Sequence, residues 1–426
     1  GFEALEDNTT GTLNTAVGSY AGSKNTTGSN NTSVGVNALY NTTTGDSNTA
    51  VGRDALENNT TGAENVAVGA YALDANTTGS QGVAIGYNAL TSQNSDVKNT
   101  AVGYRALQGL TSGDGNVGMG RDVLYSLTTG GGNVAIGNDA LGSNTTANDN
   151  VAVGRNALGT NTTGTENVAI GAYALDANTT ASYNTAVGHD SMTNTTTGFS
   201  NAALGQDTLR DNTTGDGNTA LGYSALLLNT TADNNTAVGR VAMESNTTGY
   251  NNTAVGSNAL NANTTGINNA VLGQNALDAC TSGSQNTAVG QQALSAVTTA
   301  NGMTAVGRNA LGSMIDGTNC VAVGENAGDA KTTGDSLVAV GRNCLTAVTT
   351  GNNNTAMGTN AGLSVTTGGS NVFIGHYTGM VGPTTGSNNT YVGSNAGYQA
   401  TGSNNVCLGQ GSNPSANDSN NEITLG

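Results

Sequence analysis

The chain has no tryptophan, only two prolines and three phenylalanines, and its aromatic residues amount to 4%. So few large side chains argue against the core of a globular enzyme. Charged residues make up 9%, and 28 acidic against 11 basic residues give a net charge of −17. Without a basic stripe, neither nucleic acid nor an anionic membrane is expected as a partner. No apolar run approaches the roughly 18 residues that span a bilayer, so membrane insertion is not expected either.

Cysteine is scarce as well. Cys280, Cys320, Cys344 and Cys407 fall at four different positions of the repeat described below and show no CxxC spacing. We interpret them as isolated small apolar residues and not as a disulfide or metal framework. No phosphate loop, zinc spacing or recurring Ser, His and acid arrangement is present. We therefore predict no catalytic residues, no metal and no cofactor, and a protein that is not an enzyme.

What the chain does have is glycine at a constant interval. The interval is 17 residues from Gly1 to Gly375, then 18 to Gly393, 16 to Gly409 and 17 to Gly426. The chain is therefore 25 copies of one unit, because 425 divided by 17 is 25. Units that bury a core only against their neighbours form solenoids. We expect regular repeats at 1–375 and irregular repeats at 376–426 that taper toward a following domain, in a segment of something longer.

Positions in each unit are counted from its glycine, which is slot 0. Residues 52–68, GRDALENNTTGAENVAV, show Ala-Leu at slots 3 and 4, Asn-Thr-Thr-Gly at 7–10, Asn at 13, and Val-Ala-Val at 14–16. Because side chains alternate along a strand, slots 14 and 16 share one face, and slots 13 and 15 share the other. We predict that slots 14 and 16 face the core, joined by the leucine of a second strand at Ala-Leu. The expected fold class is an all-β β-solenoid, or β-roll, of 25 coils with two short strands per coil.

The turns have a mechanism, since Asn bonds neighbouring backbone groups and Gly accepts positive φ. Glycine at slot 10 is replaced in five units, by Ala147, Ala181, Ala232, Ala300 and Asp96. Either the backbone there is not strictly left-handed, or a cost of about 1 kcal/mol is tolerated. Slot 0 is always glycine, which predicts close approach of another backbone or a neighbouring chain. Coils stacked about 4.8 Å apart would make a rod on the order of 120 Å, with Asn at slots 7 and 13 stacked in ladders.

Each coil would bury one leucine and one valine-like residue, and the free energy gained from that burial is small beside the conformational entropy lost when 17 residues are ordered. We therefore predict a homo-oligomer, with a trimer favoured. The small face of Ala at slot 15 and Gly at slot 0 is the expected contact between chains.

Long and charged side chains collect at a few slots. Those at slot 1 include Arg53, Arg121, Arg155, Arg240, Arg308, Arg342, His189 and His376. Acidic residues favour slots 2 and 5. They could form salt bridges that fix the register of coils or chains, or slot 1 could be an exposed column that accepts any long side chain.

Near the C-terminal end, Leu at slot 4 becomes Gly362, Gly379 and Gly397, and Pro383 accompanies the one-residue insertion. Five aromatic or histidine residues cluster there, and they are candidate receptor contacts. These residues are Phe373, His376, Tyr377, Tyr391 and Tyr398. The alternative is a simple taper into a following domain.

The strings AVGxxAL and NTTGxxNTAVG, as at 48–56 and 76–86, resemble the repetitive shafts of bacteriophage tail fibres. They are similar, more distantly, to the head repeats of trimeric autotransporter adhesins. The closing stretch Ser419 to Gly426, SNNEITLG, resembles the segment that often precedes an endosialidase-type intramolecular chaperone in such fibres. The resemblance implies a trimeric, extracellular virion fibre for host attachment, with a surface receptor or glycan as a partner.

The leading functional hypothesis is thus a non-enzymatic fibre shaft that holds a receptor-binding tip away from a particle. A bacterial or other cellular surface filament or adhesin is the alternative. An ice-binding solenoid is a third hypothesis, suggested by the abundant threonine. It is disfavoured because an ice-binding surface requires a flat, outward-facing Thr-x-Thr array, whereas the threonines at slot 14 are predicted to face the core. The Asn-Thr-Thr triplets also match the glycosylation acceptor pattern.

Overall fold

The computed structural model describes residues 1–94, 98–380 and 384–426. The chain forms two compact units, Gly1–Thr214 and Gly215–Gly426. In each unit it winds as a parallel β-solenoid with one coil per 17-residue repeat, and the described residues contain no helix. The predicted fold class is confirmed. Asp96, which replaces glycine at slot 10, and Pro383, which accompanies the one-residue insertion, lie outside the described residues.

Each coil contributes one strand of three residues, at slots 14–16. The strands of the first unit are β1 (Thr15–Val17), β2 (Thr32–Val34), β3 (Thr49–Val51), β4 (Val66–Val68), β5 (Val83–Ile85), β6 (Thr100–Val102), β7 (Val117–Met119), β8 (Val134–Ile136), β9 (Val151–Val153), β10 (Val168–Ile170), β11 (Thr185–Val187) and β12 (Ala202–Leu204). Those of the second unit are β13 (Thr219–Leu221), β14 (Thr236–Val238), β15 (Thr253–Val255), β16 (Ala270–Leu272), β17 (Thr287–Val289), β18 (Thr304–Val306), β19 (Val321–Val323), β20 (Val338–Val340), β21 (Thr355–Met357), β22 (Val372–Ile374), β23 (Thr390–Val392), β24 (Val406–Leu408) and β25 (Ile423–Leu425).

Within each unit, successive strands pair in parallel and slot by slot. In β3 and β4, for example, Thr49 lies beside Val66 and Val51 beside Val68. The register survives the irregular intervals, because Val372 pairs with Thr390, and Thr390 with Val406. The inserted and deleted residues are therefore absorbed in the connections between strands. Equivalent residues of successive copies lie beside one another, as the glycine spacing predicts.

The predicted second strand at Ala-Leu does not exist. Slots 2 and 4 adopt left-handed backbone conformations, as in Asp54 with φ of 58° and Leu56 with φ of 50°. These angles prevent an extended strand, although Leu56 N–H still donates to the carbonyl of Ala72 in the next coil at 3.0 Å. A left-handed leucine costs about 1–2 kcal/mol. Its complete burial offsets that strain by a similar amount.

The predicted faces of the strand are correctly grouped but inverted. Ala84, at slot 15, is fully buried, whereas Ile85, at slot 16, is 39% exposed. The same pattern holds along the described coils: slot 15 points inward, and slots 14 and 16 point outward. The interior of a coil is so thin that it takes alanine from the strand and leucine from the turn. The small face predicted to join neighbouring chains is therefore the core.

Asparagine at slot 13 is part of that interior. Asn150 Nδ2 donates to the carbonyl of Gly164, at slot 10 of the next coil, at 2.9 Å. The Asn150 side-chain oxygen accepts the backbone N–H of Asn167 at 3.0 Å and its Nδ2 at 3.1 Å. A second ladder runs at slot 7, where Asn178 Nδ2 donates to Asn161 Oδ1 at 2.8 Å. The predicted asparagine ladders are confirmed, and they lie inside the solenoid.

One interruption of the slot 13 ladder is repaired by a lysine. Leu337 occupies slot 13 and cannot donate to the Gly351 carbonyl, but the ammonium of Lys331, from slot 7 of the same coil, does so. Lys331 is fully buried, and burial lowers the pKa of its ammonium group. At this coil, a buried ammonium group therefore replaces the amide that satisfies the slot 10 carbonyl elsewhere.

Glycine at slot 0 is required by both conformation and space. Gly188 has φ of 143°, and a Cβ placed on it would overlap the carbonyl of Gly205 in the next coil. The predicted close approach of a backbone is thus confirmed for the neighbouring coil of the same chain. Slot 10 differs, because neither Gly164 nor Ala181 has a positive φ. The backbone angle therefore permits alanine at slot 10, although a Cβ on Gly164 would still overlap the Ala181 carbonyl, so the neighbouring coil must shift to make room.

We expect Gly188→Val to destabilise the first unit by at least about 3 kcal/mol, since it adds backbone strain to a steric clash. Gly142→Ala, at a glycine without a positive φ whose Cβ would meet no atom closer than 3.2 Å, should cost no more than about 1 kcal/mol. Urea unfolding followed by circular dichroism measures both. An unchanged midpoint for Gly188→Val would contradict the close approach.

Asn150→Ala should cost about 3 kcal/mol, because it leaves the backbone N–H and one Nδ2 hydrogen of Asn167 without an acceptor in a buried site and removes one of the two donors to the Gly164 carbonyl. The control is Asn148→Ala in the same coil. Asn148 is exposed and accepts the Gly131 N–H at 2.8 Å, and water can replace that acceptor. Equal losses of stability in the two variants would show that the interior ladder has no special role.

Candidate functional surfaces

Two of the five predicted receptor contacts lie in the interior. Phe373 and Tyr391 are 2% and 1% exposed, at slot 15 of β22 and β23. Their rings lie 5.5 Å apart and fill the space that leucine occupies elsewhere. A Cβ on Gly379 would lie 2.8 Å from the Phe373 ring, so glycine at slot 4 compensates for an aromatic at slot 15. Buried as they are, these two residues do not present a receptor-binding surface.

The other three predicted contacts are brought together. His376, Tyr377 and Tyr398 line one surface groove with Asn395 and Asn413. The rings of His376 and Tyr377 are 3.9 Å apart. Receptor contact by these three residues stays a prediction.

Arginines at slot 1 pair with neighbours in their own coil and in the next. Arg121 lies 3.4 Å from Asp122 and 3.5 Å from Asp139 one coil further on. Arg155 stacks on the Tyr173 ring at 4.6 Å. These side chains are largely exposed, and exposed pairs contribute only about 0–1 kcal/mol each. Both interpretations of slot 1 therefore hold in part. The column is exposed, and its arginines form weak ion pairs and cation–π contacts between coils.

The coils carry an uncharged, largely apolar outer surface that was not predicted from the sequence. We define the outer strand face as the side chains at slots 14 and 16 of each unit. No charged residue occurs at slots 14–16 in any strand. Among the most exposed members are Val17 at 57%, Met119 at 44%, Leu204 at 49%, Leu272 at 51% and Met357 at 46%. Buried asparagine at slot 13 was the signal: alternation then turns slots 14 and 16 outward.

The outward orientation of slots 14 and 16 also bears on the ice-binding hypothesis. The reason for disfavouring ice binding, that slot 14 faces the core, is wrong. The outer strand face is nevertheless not a threonine array, because slot 14 is valine in four successive strands from Val117 to Val168. Slot 16 is aliphatic or methionine throughout the strands, so the Thr-x-Thr pattern is absent from them. The structure does not favour ice binding.

A second missed surface is a groove of about 480 Å³ in the first unit. Tyr125 and Asp176 bound it along the stacking direction, and Gly142 and Gly159 lie between them. All four residues occupy slot 5. Slot 5 carries a side chain in most other units, and the two consecutive glycines there were the sequence signal.

Carboxylates at slot 5 are partly buried. Burial, together with the nearby charges of Glu57 and Asp54, raises the pKa of Asp74 to about 6. Burial likewise raises the pKa of Asp176, Asp278 and Asp329. These side chains bind protons more readily in the folded chain than in the unfolded one.

The four cysteines are free and buried. Burial raises the pKa of Cys280 to about 11 and that of Cys344 to about 12, which leaves both thiols protonated and unreactive. Among the described residues, no three His, Cys, Asp or Glu side chains form a group that could hold a metal ion. Nor do those residues include a helix long and apolar enough to cross a membrane.

Most Asn-Thr-Thr triplets place their asparagine at slot 7, whereas Asn41 and Asn194 lie at slot 6. Asn59, Asn76 and Asn161 are fully buried, and Asn161 Nδ2 donates to the Gly164 carbonyl at 2.9 Å. A sugar on that nitrogen would displace the interior bond. Glycosylation at these buried slot 7 positions is therefore incompatible with this packing.

No protein-family model matches the chain, and no curated protein is significantly similar to it. The functional argument therefore rests on the repeat, the fold and the surfaces.

We expect Asp74→Asn to stabilise the first unit at pH 7 by about 1 kcal/mol, once solvent screening is allowed for. The folded pKa is above the unfolded value of 3.8, so the contribution of Asp74 falls as pH rises from about 4 through about 6. Thermal unfolding at pH 4 and pH 7 measures the difference, which should vanish at pH 4. Asp149→Asn, at an exposed position, is the control. A gain of the same size at both pH values would contradict the role of proton binding.

Proposed function

We propose that the chain is a non-enzymatic structural shaft segment of an extracellular fibre. A β-solenoid of tandem repeats fits a structural, fibre-like protein. The observation that carries the proposal is the repetition of one interior and one outer strand face through all the coils of each unit. Such a chain gains length by adding coils, and its regular body serves as a spacer.

The shaft is proposed to assemble as a homotrimer through the outer strand face. The contact first expected, Ala at slot 15 and Gly at slot 0, is unsuitable because the alanines are fully buried. Soluble monomers rarely expose a contiguous apolar patch of more than a few hundred Å². An uncharged stripe through twelve successive strands of one unit is long enough to suggest such a patch. Packing three copies around a common axis would cover it.

The shaft is further proposed to belong to a viral tail fibre and to extend a receptor-binding tip for host attachment. Support comes from the resemblance of the AVGxxAL and NTTGxxNTAVG repeats to tail-fibre shafts. A bacterial or other cellular surface filament would use the same architecture. Antibodies raised against the chain should label the tails of purified virions in electron micrographs. Labelling confined to cell surfaces would assign the chain to a cellular filament.

The double variant Ile136→Lys and Ile170→Lys tests the assembly. The two side chains are 39% and 40% exposed on the outer strand face of β8 and β10. Two unpaired charges in an apolar interface should convert a trimer into monomers while the coils stay folded. Sedimentation equilibrium gives the mass, and circular dichroism reports the fold.

The matched control is a double lysine variant at exposed slot 9 positions, Thr129→Lys and Thr163→Lys, which should keep the trimer mass. A monomeric mass for the folded unaltered chain would exclude the homotrimer. We also expect negative-stain images of the unaltered assembly to show a thin, straight rod.

A further inference from the structure

We propose that the groove between Tyr125 and Asp176 is a binding site for uncharged oligosaccharides on the side of the shaft. This activity goes beyond a spacer role and does not depend on whether the fibre is viral or cellular. The groove spans three coil steps, about 14 Å at the spacing of parallel strands. That length accommodates a short oligosaccharide lying along the stacking direction.

The groove is not imposed by the fold. Gly142 and Gly159 form its floor at slot 5, and neither has a positive φ. A Cβ on Gly142 would meet no atom closer than 3.2 Å. A Cβ on Gly159 would lie 2.6 Å from the carboxylate at the end of the Asp176 side chain and 3.2 Å from the Asn156 carbonyl oxygen. Neighbouring coils carry Gln108, Tyr125 and Asp176 at the same slot. Side chains at slot 5 are thus compatible with the coil, and their loss in two successive coils opens the groove.

The walls offer hydrogen-bonding groups of the kinds that recognise sugar hydroxyls. One wall consists of slot 2 side chains, Asp122, Asp139 and Asn156, and the other of slot 6 side chains, Ser126, Ser143 and Thr160. Arg105 Nε donates to Asp122 Oδ1 at 2.7 Å, and Asp122 is only 8% exposed. That carboxylate is therefore held in place before a ligand arrives, which lowers the entropic cost of binding.

Aromatic rings continue the groove at one end. Tyr87, Tyr104 and Tyr125 are 45%, 47% and 38% exposed, and the rings of Tyr87 and Tyr104 stack at 5.5 Å. Arg105 lies over both Tyr104, at 5.1 Å, and Tyr125, at 4.6 Å. Exposed tyrosines supply flat apolar faces with a polar tip. The C–H face of a pyranose ring can pack on such a surface while its hydroxyls bond the groove walls.

Charge and backbone bonding select the ligand class. Asp122, Asp139 and Asp176 face the groove, and Arg105 and Arg121 pair with the first two of them. Three carboxylates against two guanidinium groups leave the groove net negative, so a sialylated or phosphorylated glycan would be repelled. An extended peptide would need free backbone groups. However, Ser126 and Ser143 already donate their N–H groups to Gly142 and Gly159, and Thr160 donates to Asp176. With no deep apolar pocket for a peptide side chain, an uncharged glycan is the better fit.

The test uses the full chain with three probes: maltotriose, chitotriose and the acidic trisaccharide sialyllactose. Saturation-transfer NMR and titration calorimetry measure binding. We expect at least one uncharged probe to bind with Kd in the millimolar range or tighter, and at least ten times more tightly than sialyllactose. Gly142→Gln fills the floor, and Tyr125→Ala removes an aromatic face. Each should weaken binding at least tenfold.

Gly312→Gln is the matched control, because Gly312 occupies slot 5 in the second unit, outside this groove. It should leave the affinity unchanged. The proposal fails if neither uncharged probe binds at 10 mM, if sialyllactose binds best, or if Gly142→Gln and Gly312→Gln bind equally. Sedimentation of the same samples keeps the shaft proposal separate, since loss of glycan binding with an unchanged mass would overturn only the groove.

Discussion

Satisfying a carbonyl inside a very thin coil is the constraint on which the structure depends. The slot 10 carbonyl faces the interior, where water cannot reach it, and an unbonded carbonyl there is costly. Asn150 of the preceding coil and Asn161 of the same coil both donate to the Gly164 carbonyl, and Asn150 at the same time receives two bonds from Asn167. Each amide therefore fixes both the height and the rotation of the following coil. This explains why the repeat keeps its length so strictly while its outer residues vary.

The interior also works with a fixed volume. Alanine at slot 15 and a left-handed leucine at slot 4 fill a regular coil, and an aromatic ring at slot 15 is accommodated by glycine at slot 4. Phe373 coexists with Gly379, and Tyr391 with Gly397, in the part of the chain that looked like a taper. Lys331 follows the same logic for hydrogen bonds, since it supplies the donor that Leu337 lacks. Irregular sequence therefore need not mean irregular structure or a binding surface.

The stacking of coils could be predicted from the sequence, because the repeat spacing does not depend on which face of the strand points inward. The spacing predicts a stack of coils, and alternation groups Thr49 with Val51 and Asn48 with Ala50. The direction of each face could not be obtained in this way, because hydrophobicity favours valine over asparagine in the core. In the structure Asn48 is buried and Val51 is not, since the amide is needed by the backbone. The positive φ of Leu56 was equally inaccessible, because leucine rarely adopts it. The slot 5 groove, in contrast, was visible in the sequence as Gly142 and Gly159.

Interior and exterior slots are separate, so a restricted choice of residues at an exterior slot is not explained by the packing of the interior. Slots 14 and 16 point outward, so the interior does not forbid lysine or glutamate there, yet no strand contains a charged residue. Slot 5 accepts Gln108, Tyr125 and Asp176, so Gly142 and Gly159 are not needed for folding. A position that the fold leaves free, but that is nevertheless restricted, requires a reason outside the single chain. We propose that a neighbouring copy supplies that reason for the outer strand face, and that a ligand of matching size supplies it for the groove.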